Sequence, residues 1–428
     1  MAYIVFPARA RAACALVAFL SIVVPARAAN AQDDTLTLDE ALRLAAERSQ
    51  TLVAEDAAEQ AARESAVAAA EPPDPLLTTG FDNVPLDGPD RLSLTRDFMT
   101  MRSIGIAREL THGAKRVARS ARFDREAEAA EVAHTLALTE LQQATAAAWF
   151  ARYFAERRRD VLAAQHTEAE SQTEAAELAY RNGTGSQSDI FVARTAVALV
   201  DDEIAAAAST ATLATIRLAR WIGDDASRPL AAPPSTAVAA VDHTNLEALL
   251  IHHPAIALML KREEIARAHV DIARTERTAD WSVALTYSDR GPAYSDMLSL
   301  SFSRPLQLRQ RDRQSRVLAA ALATAAQVHA EREEETREHT AETQMLLTTW
   351  SSHRERLRRY SDSLIPLARE RTLAALTAYR SGSGTLSEVL GARAAEIETR
   401  LTQLDLEMAT ADLWAKLHYL IPAEAAHP

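Results

Sequence analysis

The chain has 428 residues, with 11 glycines and only 5% aromatic residues, while alanine, leucine, glutamate and arginine are abundant. This composition favours long helices over compact domains with many turns. The formal net charge of −12 argues against nucleic acid as a main partner, because binding phosphates requires a basic surface.

Residues 1–31 have the pattern of a secretory signal peptide. Arg9 and Arg11 precede a short apolar run, and two Ala-x-Ala cleavage sites follow it, with the choice between them left open. The single cysteine of the sequence, Cys14, lies inside this segment. We therefore expect an exported protein without disulfides or an acyl anchor, held together by packing or by assembly.

The first structural repeat is assigned to residues 32–223. Thr37 and Glu40 have the spacing of a capping box and predict a helix that runs to about residue 70, where prolines end it. Residues 76–110 are rich in glycine, proline and threonine and predict a β-hairpin. We expect its loop at residues 84–90, and its apolar positions fall at Leu77, Phe81, Leu92, Leu94, Ile104 and Ile106.

A very long helix follows, because residues 113–180 contain no proline and no internal glycine. About seventy helical residues extend roughly 100 Å, which requires a coiled-coil partner. A tip at residues 181–188 and a return helix complete the repeat. Residues 224–244 then form a proline-containing linker.

Residues 245–422 repeat this plan, with a β-hairpin at 281–306, a second long helix kinked at Pro366, a tip at 380–387 and a return helix; residues 423–428 form a tail. The two tips have almost the same sequence, Tyr-Arg-Asn-Gly-Thr-Gly and Tyr-Arg-Ser-Gly-Ser-Gly. Glycine is favoured where a helix ends. We interpret the chain as one unit of roughly two hundred residues written twice.

The second hairpin has the clearest period-two pattern in the chain. Its apolar residues alternate with serine, threonine and alanine, which predicts a lipid-facing side and a pore-facing side. Trp281 and Tyr287 lie at opposite ends of one strand, as interface aromatics do. The residues assigned to the lipid face are Trp281, Val283, Leu285, Tyr287, Leu298, Leu300 and Phe302.

Four strands in one chain are too few to close a barrel, since single-chain barrels have at least eight. Three copies would supply twelve strands and leave no open edge. The predicted fold is therefore mainly α with a small antiparallel β part. A duplicated long-helix α-barrel carries four strands per protomer, which join a trimeric twelve-stranded transmembrane β-barrel. The alternative is that the hairpins cap the helices as a soluble sheet.

These features together resemble the TolC-type family of outer-membrane efflux channels over nearly all of the mature chain. The resemblance rests on the duplicated plan, the paired tips, the Leu-Thr-Leu-Asp-Glu-Ala-Leu opening at 36–42 and the Gly-Ala-Lys-Arg sequence at 113–116. Residues 74–75 and 81–85 are most similar to the heavy-metal efflux branch, which works with resistance–nodulation–division (RND) pumps.

The resemblance implies a homotrimeric channel-tunnel without a cofactor. Its barrel crosses the outer membrane in contact with lipid, and its helical extension crosses the periplasm. The tips form an aperture that opens on docking to a periplasmic membrane-fusion adaptor and an inner-membrane RND-type pump. The expected function is passive export, with heavy-metal cations as a candidate cargo.

Residue roles follow from the same resemblance. Ser188 and Asp189 of the first tip and Tyr379 of the second match groups that hydrogen-bond to keep the aperture shut. A family arginine of this latch falls on Gly384 here, which puts the salt bridge of the latch in doubt. The tip glycines match the region that the adaptor contacts, and they are Gly183, Gly185, Gly382 and Gly384.

Three other interpretations have less support. A periplasmic coiled-coil scaffold or adaptor should have one helical hairpin between compact β-domains. The sequence contains no Gly-x-Ser-x-Gly motif and no phosphate-binding loop, so it gives no support to an enzyme. For a metal site, His252 and His253 do not have the spacing of a known ligand motif. Met99 and Met101, which we expect on one strand face, are candidate soft ligands along a metal path.

Overall fold

The computed structural model describes residues 35–238 and 252–422. The predicted signal peptide, the end of the linker, the first residues of the second repeat and the tail lie outside these ranges. Within them, no helix has an apolar stretch long enough to cross a membrane.

The first repeat contains four helices and two strands in its described part. Its elements in chain order are α1 (Leu38–Arg48), α2 (Gln50–Ala70), β1 (Leu76–Asp82), β2 (Met101–Leu110), α3 (Gly113–Arg181) and α4 (Gln187–Ile222). The predicted single first helix is divided, because Ser49 ends α1 and its hydroxyl accepts the Leu52 amide of α2 at 3.3 Å. The predicted capping box is only half formed. Thr37 accepts the Glu40 amide, but the Glu40 carboxylate pairs with Arg228.

The second repeat follows the same order in its described part. Its elements are α5 (Pro254–Thr275), β3 (Trp281–Asp289), β4 (Met297–Ser303), α6 (Gln314–Arg359), α7 (Ile365–Arg380) and α8 (Leu386–His418). A π-helical turn at Tyr360–Leu364 joins α6 to α7. It lies just before Pro366, which cannot donate a helical hydrogen bond, and it stands where a kink is predicted.

The short helices stack end to end beside the long helix, as the lengths predict. Both α2 and α4 pack on α3, and α1 meets the C-terminal end of α4 near the middle of α3. The main apolar core lies at this level. Trp149 and Phe150 are almost fully buried, and the Trp149 indole donates to the Leu36 carbonyl at 3.3 Å. Trp414 of α8 packs edge-on against Phe150 with ring centroids 6.0 Å apart.

The strands form one antiparallel sheet in the order β1-β2-β3-β4. Both hairpins therefore join across the repeats through β2 and β3, where Ile104 lies opposite Tyr287. The prediction that Leu92 and Leu94 belong to the second strand is wrong. Both lie in the loop before β2, and Met99 lies there too, so it shares no strand face with Met101. Glycine, proline and aspartate at 88–90 favour turns over strand pairing in this loop.

A buried lysine fixes the sheet to the helices. Lys115, only 3% exposed, lies 2.6 Å from Asp280, which directly precedes β3, and 3.3 Å from Glu276. Asp280 also accepts the His112 amide at 2.9 Å, at the start of α3. Arg116 donates to the Ala70 carbonyl at the end of α2. The Gly-Ala-Lys-Arg sequence thus joins both repeats where the sheet meets the helices.

A second polar contact lies at the start of α5. His253 is 6% exposed, and its Nδ1 accepts the Ala255 amide at 3.2 Å, so that the imidazole caps the helix. Its ring is 4.5 Å from the ring of His339, which has Glu335 at 3.2 Å and Glu342 at 3.9 Å. Burial, and then the neighbouring His339, lower the pKa of His253 to about 4.

This depressed pKa predicts a loss of stability in acid. The unfolded chain takes up a proton on residue 253 below about pH 6.5, whereas the folded chain does so only near pH 4. The free energy of unfolding should therefore fall by up to about 3 kcal/mol as pH drops from 6.5 to 4. His253→Asn keeps a capping side chain and should lack this part of the pH dependence in urea denaturation at pH 7, 5.5 and 4. An equal pH dependence in wild type and variant would contradict it, and the exposed His112→Asn serves as a control.

Candidate pore and aperture

The two faces of the sheet differ sharply in chemistry. The register places Val283 opposite Phe302, Leu285 opposite Leu300 and Tyr287 opposite Leu298, so the predicted apolar residues share one face. Ile104 and Ile106 of β2 extend this face toward β1, and Arg102 and Arg108 lie on the same face at either side of them. These side chains are exposed in the single chain, with Leu298 at 71% and Phe302 at 62%.

Small and polar side chains cover the opposite face. One cross-strand row consists of Thr78, Gly105, Thr286 and Ser299. A Cβ at Gly105 would lie 2.7 Å from the Thr286 hydroxyl and 2.9 Å from the Thr78 hydroxyl. Glycine is therefore required in this row, because the hydroxyls on both sides leave no space for a side chain. The remaining small residues on this face are Gly80, Ser103, Ala107, Ser282, Ala284, Ser288, Ser301 and Ser303, and its larger apolar residues are Leu76, Met101 and Met297.

The sheet has two free edges within the described chain, because β1 pairs only with β2 and β4 only with β3. All seven residues of β4 are exposed on both faces. A flat, apolar strand with unpaired amides and carbonyls is a template for pairing with another strand. Both edges can therefore accept a further strand.

The two helical tips, at the other end of the long helices, have the same backbone structure. Gly183 and Gly382 have φ angles of 73° and 77°, a left-handed conformation that favours glycine. In the first tip, the amides of Thr184 and Gly185 both donate to the Ala179 carbonyl, at 2.9 and 3.1 Å.

The second tip repeats these bonds. The amides of Ser383 and Gly384 donate to the Ala378 carbonyl at 2.9 and 3.0 Å. At Gly384, a Cβ would lie 3.0 Å from the Ala378 Cβ. The space around Gly384 is therefore tight, as it is around Gly185, the corresponding residue of the first repeat.

A reciprocal capping box starts the helix after each tip. The Ser186 hydroxyl accepts the Asp189 amide at 3.2 Å, and the Asp189 carboxylate accepts the Ser186 amide at 2.9 Å. Thr385 and Glu388 make the same pair of bonds before α8. The capping residue is thus Ser186, whereas Ser188 lies exposed in the first turn of α4. The predicted helix start at Asp189 is two residues late.

The tips pack against each other through small apolar residues. Ala176, Ala193 and Leu386 form a buried cluster that joins α3, α4 and α8. Tyr379 and Ile190 are partly buried against it. The predicted aperture residues Asp189 and Tyr379 are therefore brought to adjacent tips, and the Asp189 carboxylate is engaged in its own helix cap.

Sequence reasoning missed the residues that position these parts. Lys115 and Asp280 were not singled out as a pair, since no local pattern joins residues so far apart in the chain. Ser186 and Thr385 could have been found, because each lies three residues before an acidic residue at a helix start. In the described ranges, no three His, Cys, Asp or Glu side chains are grouped so as to hold a metal ion.

The chain is similar to solved outer-membrane channels over almost its whole length. A structure of CusC, from work on folding and transmembrane channel formation, has a TM-score of 0.76 and 16% identity, with 89% of this chain and 91% of that chain covered. VceC, an outer membrane protein of Vibrio cholerae, has a TM-score of 0.70 and 18% identity, with coverages of 90% and 95%. The open MtrE outer membrane channel of Neisseria gonorrhoeae has a TM-score of 0.68 and 15% identity, with coverages of 90% and 88%.

This chain has the TolC-type outer-membrane channel fold. No protein-family model matches the sequence, and no curated protein matches it either. The similarity to these channels is therefore one of fold, at 15–18% identity.

Gly382 lies in the left-handed turn of the second tip, whereas Gly391 lies inside α8, and substitution by alanine should affect the two positions differently. Gly382→Ala places a side chain in a left-handed conformation and should destabilise the tip by about 1 kcal/mol. Gly391→Ala, in the helical interior of α8 with open space around it, should be neutral or stabilising. Hydrogen exchange at the Ser383 and Gly384 amides should accelerate about fivefold in the first variant only. Equal protection in both variants would contradict this account of the turn.

Proposed function

We propose that the protein is the outer-membrane exit duct of a tripartite efflux system, in which three copies form a passive channel. The observation that carries this proposal is the open four-stranded sheet, apolar on one face and small and polar on the other. Lipid would cover the apolar face, and water would fill the lumen beside the other. Twelve strands suffice for a water-filled bore.

The helical part would extend through the periplasm. Its paired tips would form the aperture, where three copies of Asp189 meet around the axis. Ser188 and Tyr379 would contribute hydrogen bonds to the closed state, and the tip glycines would contact a periplasmic adaptor. An inner-membrane RND-type pump would drive export through the adaptor. These roles are supported by the resemblance and by the matching geometry of the tips.

The second part of the proposal concerns the class of molecule that the duct exports. Heavy-metal cations are a candidate because residues 74–75 and 81–85 resemble the heavy-metal branch of the channel family. Growth of a deletion strain across a panel of metals and drugs would identify the exported class.

The alternative is a periplasmic scaffold or adaptor without a pore. Such a protein would not need an apolar sheet face with free edges, and it would be washed from membranes by carbonate. The duct should instead sediment with outer membranes and resist carbonate.

Cross-linking tests the closure of the sheet by neighbouring copies. The expected mature chain has no cysteine, since Cys14 lies in the predicted signal peptide. Thr78→Cys on β1, combined with cysteine at Ser299, Ser301 or Ser303 on β4, should give covalent trimers upon oxidation for at least one pair. The control pair Ser103→Cys and Ser288→Cys, opposite each other within one chain, should form only an intrachain disulfide. If every pair that joins β1 to β4 gave monomers only, the proposed barrel would be contradicted.

Substitution of Asp189 tests the aperture. Asp189→Asn removes the charge but keeps an oxygen that can accept the Ser186 amide. A ring of three carboxylates attracts cations, so the variant should lower the cation-to-anion permeability ratio measured from reversal potentials in planar bilayers. Glu388→Gln is the matched control, because Glu388 caps the second tip in the same way. A reversal potential equal to that of wild type in Asp189→Asn would exclude Asp189 from the aperture.

A further inference from the structure

A cavity of about 440 Å³ lies between α3, α4 and α8, on the tip side of the main core. It follows α3 from Arg158 to Gln172, a distance of about 20 Å along the helix. Its apolar wall consists of Leu199, Val200, Leu390, Ile397 and Leu401. Cavities of this size commonly hold small organic molecules.

The tip-side end of the cavity contains buried polar atoms without partners. Gln172 is 93% buried, and neither its Nε2 nor its Oε1 has a hydrogen-bond partner among the described residues. The Nε of Arg393 is buried and unpaired in the same way, although its Nη2 binds Glu168. A ligand that reaches these three atoms would supply the hydrogen bonds that the chain itself leaves unmade.

The unpaired atoms define the chemistry of that ligand. They comprise two donors, Gln172 Nε2 and Arg393 Nε, and one acceptor, Gln172 Oε1. A primary amide group matches them, because its carbonyl oxygen accepts from the two donors and one of its N–H groups donates to the acceptor. At the other end, Arg158 and Asp405 already pair at 2.9 Å, so a second polar group is not required there.

We propose that this cavity binds an elongated amphiphile with one primary amide head. The head bonds Gln172 and Arg393, and the alkyl chain lies along the leucine, valine and isoleucine wall. The site lies within the helical wall of one chain. Its occupancy therefore goes beyond passive conduction.

Photo-crosslinking tests the site in the full-length protein held in nanodiscs. The probe is dodecanamide that carries a diazirine, and labelled peptides are located by mass spectrometry. Wild type should be labelled in α3, α4 and α8, and separately on the apolar sheet face. Dodecanamide should compete at the helical site about tenfold better than methyl dodecanoate, which cannot donate a hydrogen bond.

Two variants separate this site from general adhesion of the probe. Gln172→Leu keeps the side-chain size and should reduce helical labelling about tenfold, with sheet labelling unchanged as an internal reference. Ala196→Trp fills the cavity and should abolish helical labelling, whereas Ala205→Trp, exposed on the same helix, should leave it intact. Labelling confined to the sheet in wild type, or helical labelling unchanged in Gln172→Leu, would overturn the proposal. If Ala196→Trp fails to fold, Gln172→Leu still decides the question.

Discussion

The structure depends on strand pairing that a single chain leaves incomplete. Backbone amides and carbonyls along β1 and β4 need partners wherever water is excluded, because an unsatisfied group in hydrocarbon costs several kcal/mol. An apolar face beside such an edge is unfavourable in water, and such faces mark contacts with membranes or with other proteins. A neighbour on each side would satisfy both requirements at once, and a closed ring of copies would leave no edge.

The helical body supplies the rigid frame for this sheet. Lys115 with Asp280, at 2.6 Å, connects the start of the long helix to the start of β3. Removing Lys115 would leave the largely buried Asp280 carboxylate without its charged partner, which is strongly unfavourable. This contact therefore fixes how the sheet stands on the helices. At the far end, two equal capping boxes and the small cluster around Ala193 fix the tips.

Much of this fold could be predicted from the sequence. Proline, glycine and period-two patterns gave the long helices, the tips and the apolar strand face, since each reflects local backbone chemistry. The first hairpin was harder. Leu92 and Leu94 fit a strand pattern, but turn-forming neighbours hold them in a loop. Lys115 and Asp280 could not be paired from the sequence, because their contact depends on how the two repeats meet. The aperture roles of Ser188, Asp189 and Tyr379 remain predictions, as a single chain does not form the aperture.

The central claim is that neighbouring copies complete the sheet. Native mass spectrometry of the mature protein extracted from outer membranes tests this most directly. The account predicts a particle of three chains that needs detergent to stay in solution. A stable, water-soluble single chain would contradict it.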